Sequence, residues 1–319
     1  MNLYWLGAAL AVGLLIALYF NGREYTRDVE ARWPAIGRFV EIDGVRLHVI
    51  ERGARDAPPL LFLHGANSNA REFLSLAVHL ESTHRLIIPD RTGYGFSSRP
   101  RRAHEIGVQS ALFARLLEAE DAADAIVICH SLGCGYGLRL AAERGDLVSG
   151  LVLIAPASHP YPGGNAWWAN TAAAPVIGPI FVSTIVPAIA PSASRGAIRN
   201  IFAPAQPTRD YGANAGVPLA FRPSAFRASA RDVTASNREY TAQQPLYEQI
   251  DAPAIIVTSD RDRVVSIRIH AQGLARDLQA SETVTLPGTG HTPHQLRPEA
   301  IVAAVARVSE LAAQRRARD

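Results

Sequence analysis

The sequence predicts an α/β fold in which a mostly parallel central sheet carries helices on both faces, with an inserted helical cap and an N-terminal transmembrane helix. Three observations carry that expectation. Short continuous apolar runs such as "PPLLFLHG", "HRLIIPD" and "DAIVICHS" end in turn residues, the mark of strands buried on both faces. Segments with helical spacing alternate with them, and repeated β-then-α units imply a parallel sheet. One stretch, 158–245, breaks the alternation with 88 residues, far beyond an ordinary connection.

The first 22 residues carry no charged side chain, and 3–20 is almost wholly apolar. At 1.5 Å rise per residue such a helix would reach roughly 33 Å, about a hydrocarbon core. A cleaved secretory signal would open on positive charge and close on small residues, whereas "YFNGRE" follows here. The expectation is a retained anchor over 1–22, with Tyr4, Trp5, Tyr19 and Phe20 at the two interfaces. Arg23, Arg27 and Arg32 follow it, so the positive-inside tendency predicts a single-pass membrane protein whose catalytic part is cytoplasmic.

The first part of the core occupies 23–157. "RFVEIDGVRLHVIERG" reads as two alternating strands joined at Asp43-Gly44, a hairpin signal. Strand "PPLLFLHG", a helix over 69–82, strand "HRLIIPD", loop "RTGYGFSSRP", helix "EIGVQSALFARLLEAE", strand "DAIVICHS", helix 132–144 and strand "GLVLIAPAS" follow. The cap, 158–245, holds eleven of the 21 prolines, and 160–194 has no acidic or basic side chain. Four prolines and Gly178 interrupt the apolar run 175–191, which predicts short cap helices rather than a second membrane span. The second part of the core, 246–319, brings strand "APAIIVTSD", helix 266–279, strand "ETVTLPG" and a final helix from Pro298.

Bulk properties exclude several classes. A net charge of +3 with no basic cluster interleaved with aromatics excludes a nucleic-acid partner. No dinucleotide-binding glycine fingerprint is present, so no cofactor is expected. Two cysteines make no disulfide framework. Cys129 at a strand end and Cys134 in a helix's first turn are expected to stay unbridged.

The chemistry gathers at strand ends. In "CHSLG", Ser131 stands where a buried strand turns into a helix, between small residues Cys129 and Gly133. The segment resembles the nucleophile elbow of the α/β-hydrolase superfamily, written G-x-S-x-G, with Cys129 in place of the first glycine. "LPGTGHTPHQLRPEA" looks like that superfamily's histidine loop, and "VTSDRDRVVS" like its acid loop. "HGANSN" is similar to its oxyanion loop, and "PDRTGYGFS" to the loop after the following strand. The resemblance runs from about Phe39 to Val305 and points to the serine-nucleophile, esterase- and lipase-like branch with a cap. It implies Ser131 as nucleophile, His291 as base and Asp262 as acid, with Asp260 the alternative, and backbone N–H groups of Ala66 and Leu132 as the oxyanion hole.

His291 and His294 could suggest a metal pair, but no carboxylate or cysteine ligands stand nearby in sequence, and no metal is expected. His64 and His130 read as structural hydrogen-bonders, and Trp167 and Trp168 as substrate-binding residues near the mouth of a pocket. The function so implied is hydrolysis of a small-molecule, lipophilic carboxylic ester through an acyl-enzyme, with a rate that falls as pH drops through about 6.5 to 7 because the base must be the neutral imidazole. Serine-dependent C–C bond hydrolysis and cofactor-free haloperoxidation keep the same triad. A non-catalytic, membrane-tethered binding protein is the reading from another class.

Overall fold

The computed structural model describes residues 3–318. Met1 and Asn2, part of the expected span, lie outside the described residues. The strands are β1 (Arg38–Ile42), β2 (Val45–Arg52), β3 (Pro59–Leu63), β4 (Arg85–Pro89), β5 (Ala125–His130), β6 (Val148–Ile154), β7 (Ala254–Thr258) and β8 (Ser281–Thr285). They form one sheet in the order β1-β2-β4-β3-β5-β6-β7-β8, antiparallel in the β1-β2 and β2-β4 pairs and parallel from β4 to β8. The hairpin turn falls at Asp43-Gly44, where both residues take positive φ.

The helices are α1 (Leu3–Arg32), α2 (Leu74–Ala77), α3 (Ile106–Ala119), α4 (Gly133–Glu143), α5 (Trp167–Ala173), α6 (Ile177–Phe202), α7 (Tyr211–Asn214), α8 (Pro223–Gln243), α9 (Ala271–Asp277), α10 (Pro293–Leu296) and α11 (Pro298–Arg316). Strand side chains alternate between two cores. Leu61, Leu63, Val127, Leu151 and Ile256 pack with α3, α4 and α9 on one face. Leu60, Phe62, Ile128, Val152 and Val257 pack with α2 and α11 on the other. The apolar runs are continuous because both faces are covered.

Four expectations are corrected. The helix over 69–82 reduces to a 3-10 turn, Ala70–Phe73, and one turn of α2, because tight bonds such as Leu80 N to Ala77 O wind the chain back to β4. The helix over 266–279 begins only at Ala271, after a turn in which Ser266 O accepts from His270 N. The run 175–191 does not break into short helices, since α6 continues through Pro187 and Pro191. Proline 187 removes the donor that Ser183 O would have used, and α1 packs against that side of α6. A Cβ added at Gly22 would come 2.2 Å from Ser183 O, so only glycine lets the two helix backbones approach this closely.

The fourth correction concerns the cysteines, which are disulfide-bonded. The sharp turn between β5 and α4 folds the strand end back over the first helical turn and brings the two Cα atoms to 4.9 Å. A separation of five residues reads as too short only while the turn between them is unseen. Helix α1 also runs ten residues beyond the apolar segment. Its C-terminal part packs on the cap, where Tyr25 Oη donates to Pro218 O and Glu30 pairs with Arg222.

Candidate active site

Ser131 links β5 to α4 with a φ of +52°. That conformation costs a non-glycine residue roughly 1–3 kcal/mol and persists only where the surroundings enforce it. Ser131 N donates to Ile154 O at 3.0 Å, and Ser131 O accepts from Cys134 N and Ala157 N. A Cβ at Gly133 would sit 2.2 Å from Leu63 O, and one at Gly65 would sit 3.2 Å from Ser131 Cβ. The turn therefore needs glycine at 133, and Gly65 across from it leaves little room for a side chain. Cys129 fits in place of the first glycine because it faces Gly137, where an added Cβ would still lie 3.7 Å from Cys129 Cβ.

His291 Nε2 lies 2.9 Å from Ser131 Oγ, and Nδ1 lies 2.8 Å from Asp262 Oδ2. The other Asp262 oxygen accepts from Val264 N at 2.7 Å and Val265 N at 3.1 Å, which fixes the carboxylate. Asp260 Oδ1 instead accepts from Gly288 N at 2.7 Å, steadying the histidine loop from outside. Burial disfavours the charged form of Asp262, but the bond and charge of His291 and the two backbone donors outweigh it and hold its pKa below the usual carboxylate value. His291 is held below 6.5, chiefly by burial and against the pull of Asp262, so its imidazole is neutral at neutral pH.

Ala66 lines the cavity with Ser131 and His291, and Leu132 opens α4 beside Ser131. Neither N–H takes part in the loop, turn and cap hydrogen bonds among the described residues. Both are thus free for a ligand oxygen. The cavity holds about 510 Å³ and is walled by Trp167, Trp168, Phe181, Val186 and Ile189 of the cap. Trp168 packs on Phe226, ring centroids 5.4 Å apart, whereas Trp167 is 70% exposed at the outer edge. No arginine is among the lining residues.

The histidines set aside by sequence find other partners. His64 is buried with its pKa lowered to about 4, chiefly by desolvation and by Arg91, and its Nε2 accepts from Arg91 N. His291 and His294 make no metal pair, because both nitrogens of His291 face Ser131 and Asp262. Sequence reasoning missed a buried clamp. Arg91 Nε donates to His64 O at 2.8 Å, Arg91 Nη2 to Gly65 O at 3.1 Å, and Arg91 Nη1 to Asp232 Oδ2 at 3.2 Å. It joins the loop at 64–65 to cap helix α8, and Arg99 holds the second Asp232 oxygen at 2.6 Å. No sequence signal pairs residues 141 apart.

Residues 60–304 match the family model for the alpha/beta hydrolase family. The chain is 28% identical over 274 residues to a 2-(acetamidomethylene)succinate hydrolase of Mesorhizobium japonicum, covering 85% of this chain and 94% of that protein. Among solved structures it is similar to a membrane phospholipase A described as a bacterial virulence factor, with TM-score 0.66, 22% identity, and 97% and 99% of the two chains covered. An esterase of Exiguobacterium antarcticum gives TM-score 0.70 at 18% identity, over 86% of this chain and all of that one.

Proposed function

The chain belongs to the alpha/beta hydrolase family, and on that premise we propose that it is a membrane-anchored serine hydrolase that cleaves lipophilic carboxylic esters through an acyl-enzyme. The observation that carries the reading is Ser131, His291 and Asp262 in hydrogen-bonded sequence at the floor of a cavity walled by apolar cap side chains. Ser131 attacks the acyl carbonyl as His291 Nε2 takes its proton. The N–H groups of Ala66 and Leu132 receive the oxyanion, a contribution of about 3 kcal/mol per donor in related chemistry. His291 then returns the proton to the leaving alkoxide, and water, activated by the same imidazole, releases the acid. Asp262 keeps the proton on Nδ1 and balances the imidazolium.

The wall argues for the substrate class. A succinate-type dianion would call for cations, and the cavity has no arginine. A neutral acyl chain suits Phe181, Val186 and Ile189, each buried methylene contributing up to about 0.8 kcal/mol. Specificity measured as kcat/KM over an ester panel should climb from acetyl to medium chains, and Trp168→Ala should flatten the climb. Preference for acetyl over hexanoyl esters would defeat the lipophilic assignment.

The membrane reading rests on α1 and α6 together. Val12, Leu15, Ile16 and Tyr19 of α1 border Pro179, Ile180 and Ser183 of α6. Val12 precedes Arg23 by eleven positions, about 16 Å along a helix, so a spanning α1 would carry the N-terminal half of α6 into the bilayer beside it. Exposed apolar side chains at that end of the cap include Val176, Ile177 and Ile180, and 160–194 has no acidic or basic side chain. An ester could then reach the cavity from the lipid phase, past Trp167. Ile177→Glu with Ile180→Glu should slow turnover of a vesicle-borne ester while leaving a soluble butyryl ester unaffected. Equal loss on both substrates would place the cap away from lipid.

Two cues to sidedness oppose each other. Arg23, Arg27 and Arg32 favour a cytoplasmic catalytic part. The Cys129–Cys134 bridge belongs to an oxidising compartment. We weigh the bridge more heavily and assign the hydrolase unit to the non-cytoplasmic face. Protease added to intact cells or spheroplasts should reach it there.

A further inference from the structure

Directly behind the catalytic histidine lies a buried charged cluster that this mechanism does not use. Glu72, in the 3-10 turn after the oxyanion loop, is 2% exposed, and His130 and His294 are 6% and 0% exposed. Glu72 Oε1 is ion-paired with His130 Nδ1 and lies 3.2 Å from His294 Nε2. The second oxygen, Oε2, accepts from Ser68 Oγ at 2.5 Å and from Gly65 N at 3.4 Å. On the far side of the ring, His130 Nε2 donates to the carbonyl oxygen of His291 at 2.8 Å.

Both nitrogens of His130 thus face acceptors, one a carboxylate and the other a carbonyl. A neutral imidazole has a single N–H and would turn a lone pair against one of them. The ion pair with Glu72 favours the imidazolium, and a cation buried this deeply persists only beside its counterion. Glu72, His130 and His294 also offer a carboxylate and two imidazoles within 4.8 Å of one another, the donor types of a metal centre. His130 has no lone pair left for an ion, so the cluster is a salt bridge with His294 packed against it, imidazole centroids 4.6 Å apart.

We propose that Glu72 and His130 act as a positioning pair for the triad, a buried salt bridge that ties the oxyanion loop to the backbone of the catalytic histidine. The proposal rests on the serine-hydrolase reading. Three segments distant in sequence meet at one carboxylate: the loop at 65–68, the strand end at 130 and, through His130, the carbonyl of His291. Neither side chain touches a reacting atom, so they act through the placement of Gly65, Ser68 and His291. The His130 ring also stands 4.8 Å from the His291 ring, close enough to oppose a second positive charge.

The groups that face His291 are Asp262 from the β7 loop, His130 and Glu72, His294 on its own loop, and His270 before α9. Burial lowers His294 and His270 to about 4, so both are neutral in the working range. Replacing Glu72 by Gln removes the counterion, His130 gives up its proton, and the nearer positive charge disappears. Loss of that cation lets His291 protonate more readily.

The test is Glu72→Gln, His130→Gln and the double variant in the full-length protein, with activity on a soluble ester and the rate of fluorophosphonate labelling. Glu72→Gln should lose at least tenfold in kcat with KM changed by less than about threefold, and the acid limb of kcat/KM should move to higher pH. If the pair works as a unit, the double variant should be no worse than the poorer single one. Wild-type kcat with an unmoved acid limb in Glu72→Gln overturns the proposal while leaving the triad intact. Labelling that survives Ser131→Ala would instead defeat the underlying reading. Should the variants fail to fold, imidazole nitrogen NMR of the wild-type protein decides. One buried histidine should carry both N–H protons at pH 7.5, and its presence as a neutral tautomer would contradict the proposal.

Discussion

Ser131 carries a left-handed backbone that only a crowded turn enforces, and that turn is where sequence spoke most clearly. The chain's "CHSLG" could be read because the elbow demands small neighbours, and at Gly133 an added Cβ would come 2.2 Å from Leu63 O. Ser131→Ala should remove about 10⁴-fold or more of ester turnover with thermal stability nearly unchanged, because the substitution replaces one small side chain by another and deletes a single hydroxyl. Asp262 and Asp260 stand two positions apart, and pattern alone could not separate them beyond a motif match. Geometry brings Asp262 to His291 and leaves Asp260 on Gly288. Asp262→Asn should cost several orders of magnitude in kcat, and Asp260→Asn much less; the opposite ranking would reassign the acid. The pH profile is also sharpened at this scale. Burial holds His291 below 6.5, so the base stays neutral and the rate stays high until the pH falls through that lowered value. An acid limb above 6.5 would contradict the burial.

Among elements, the strands were legible and the cap helices were not. Both faces of β3, β5, β6 and β7 are covered, so burial writes itself into sequence as unbroken apolar runs. In the cap, prolines 187 and 191 read as breaks, yet α6 passes through both, and α1 packs closely against Ser183 O, the carbonyl that Pro187 leaves without its helical donor. That packing spans more than 160 positions, and no local window contains it. Gly22→Val should therefore push α1 off α6 and lower the thermal midpoint by several degrees, measured on full-length protein in detergent. An unchanged midpoint would show that the close approach contributes nothing. The bridge between Cys129 and Cys134 was missed for a related reason: its two Cα atoms are brought to 4.9 Å by the elbow itself.

At the scale of the whole molecule, the C-terminal ends of β3, β5, β7 and β8 line up, and each delivers one part of the site. Parallel strands put such ends along one edge, where open α/β sheets bind ligands. Order along the chain was enough to expect the triad, but the Arg91–Asp232 clamp and the Glu72–His130 pair depend on which loops that edge gathers. The cap closes the edge from above, and α1 ties the cap to the apolar segment that precedes it. Deleting 1–22 should release the protein from membranes that a high-salt wash leaves loaded, since apolar burial is not screened by ions. Release by salt alone would make the attachment electrostatic.

The central claim is that Ser131 is the nucleophile of an ester hydrolase. Its most direct measurement is mass spectrometry of full-length protein treated with an alkyl fluorophosphonate, read alongside residual turnover of a medium-chain ester. The predicted result is one adduct, on the peptide that contains Ser131, with turnover lost in proportion to labelling and no adduct in Ser131→Ala. Full turnover after stoichiometric labelling at Ser131, or an adduct on another residue that abolishes turnover, would contradict it.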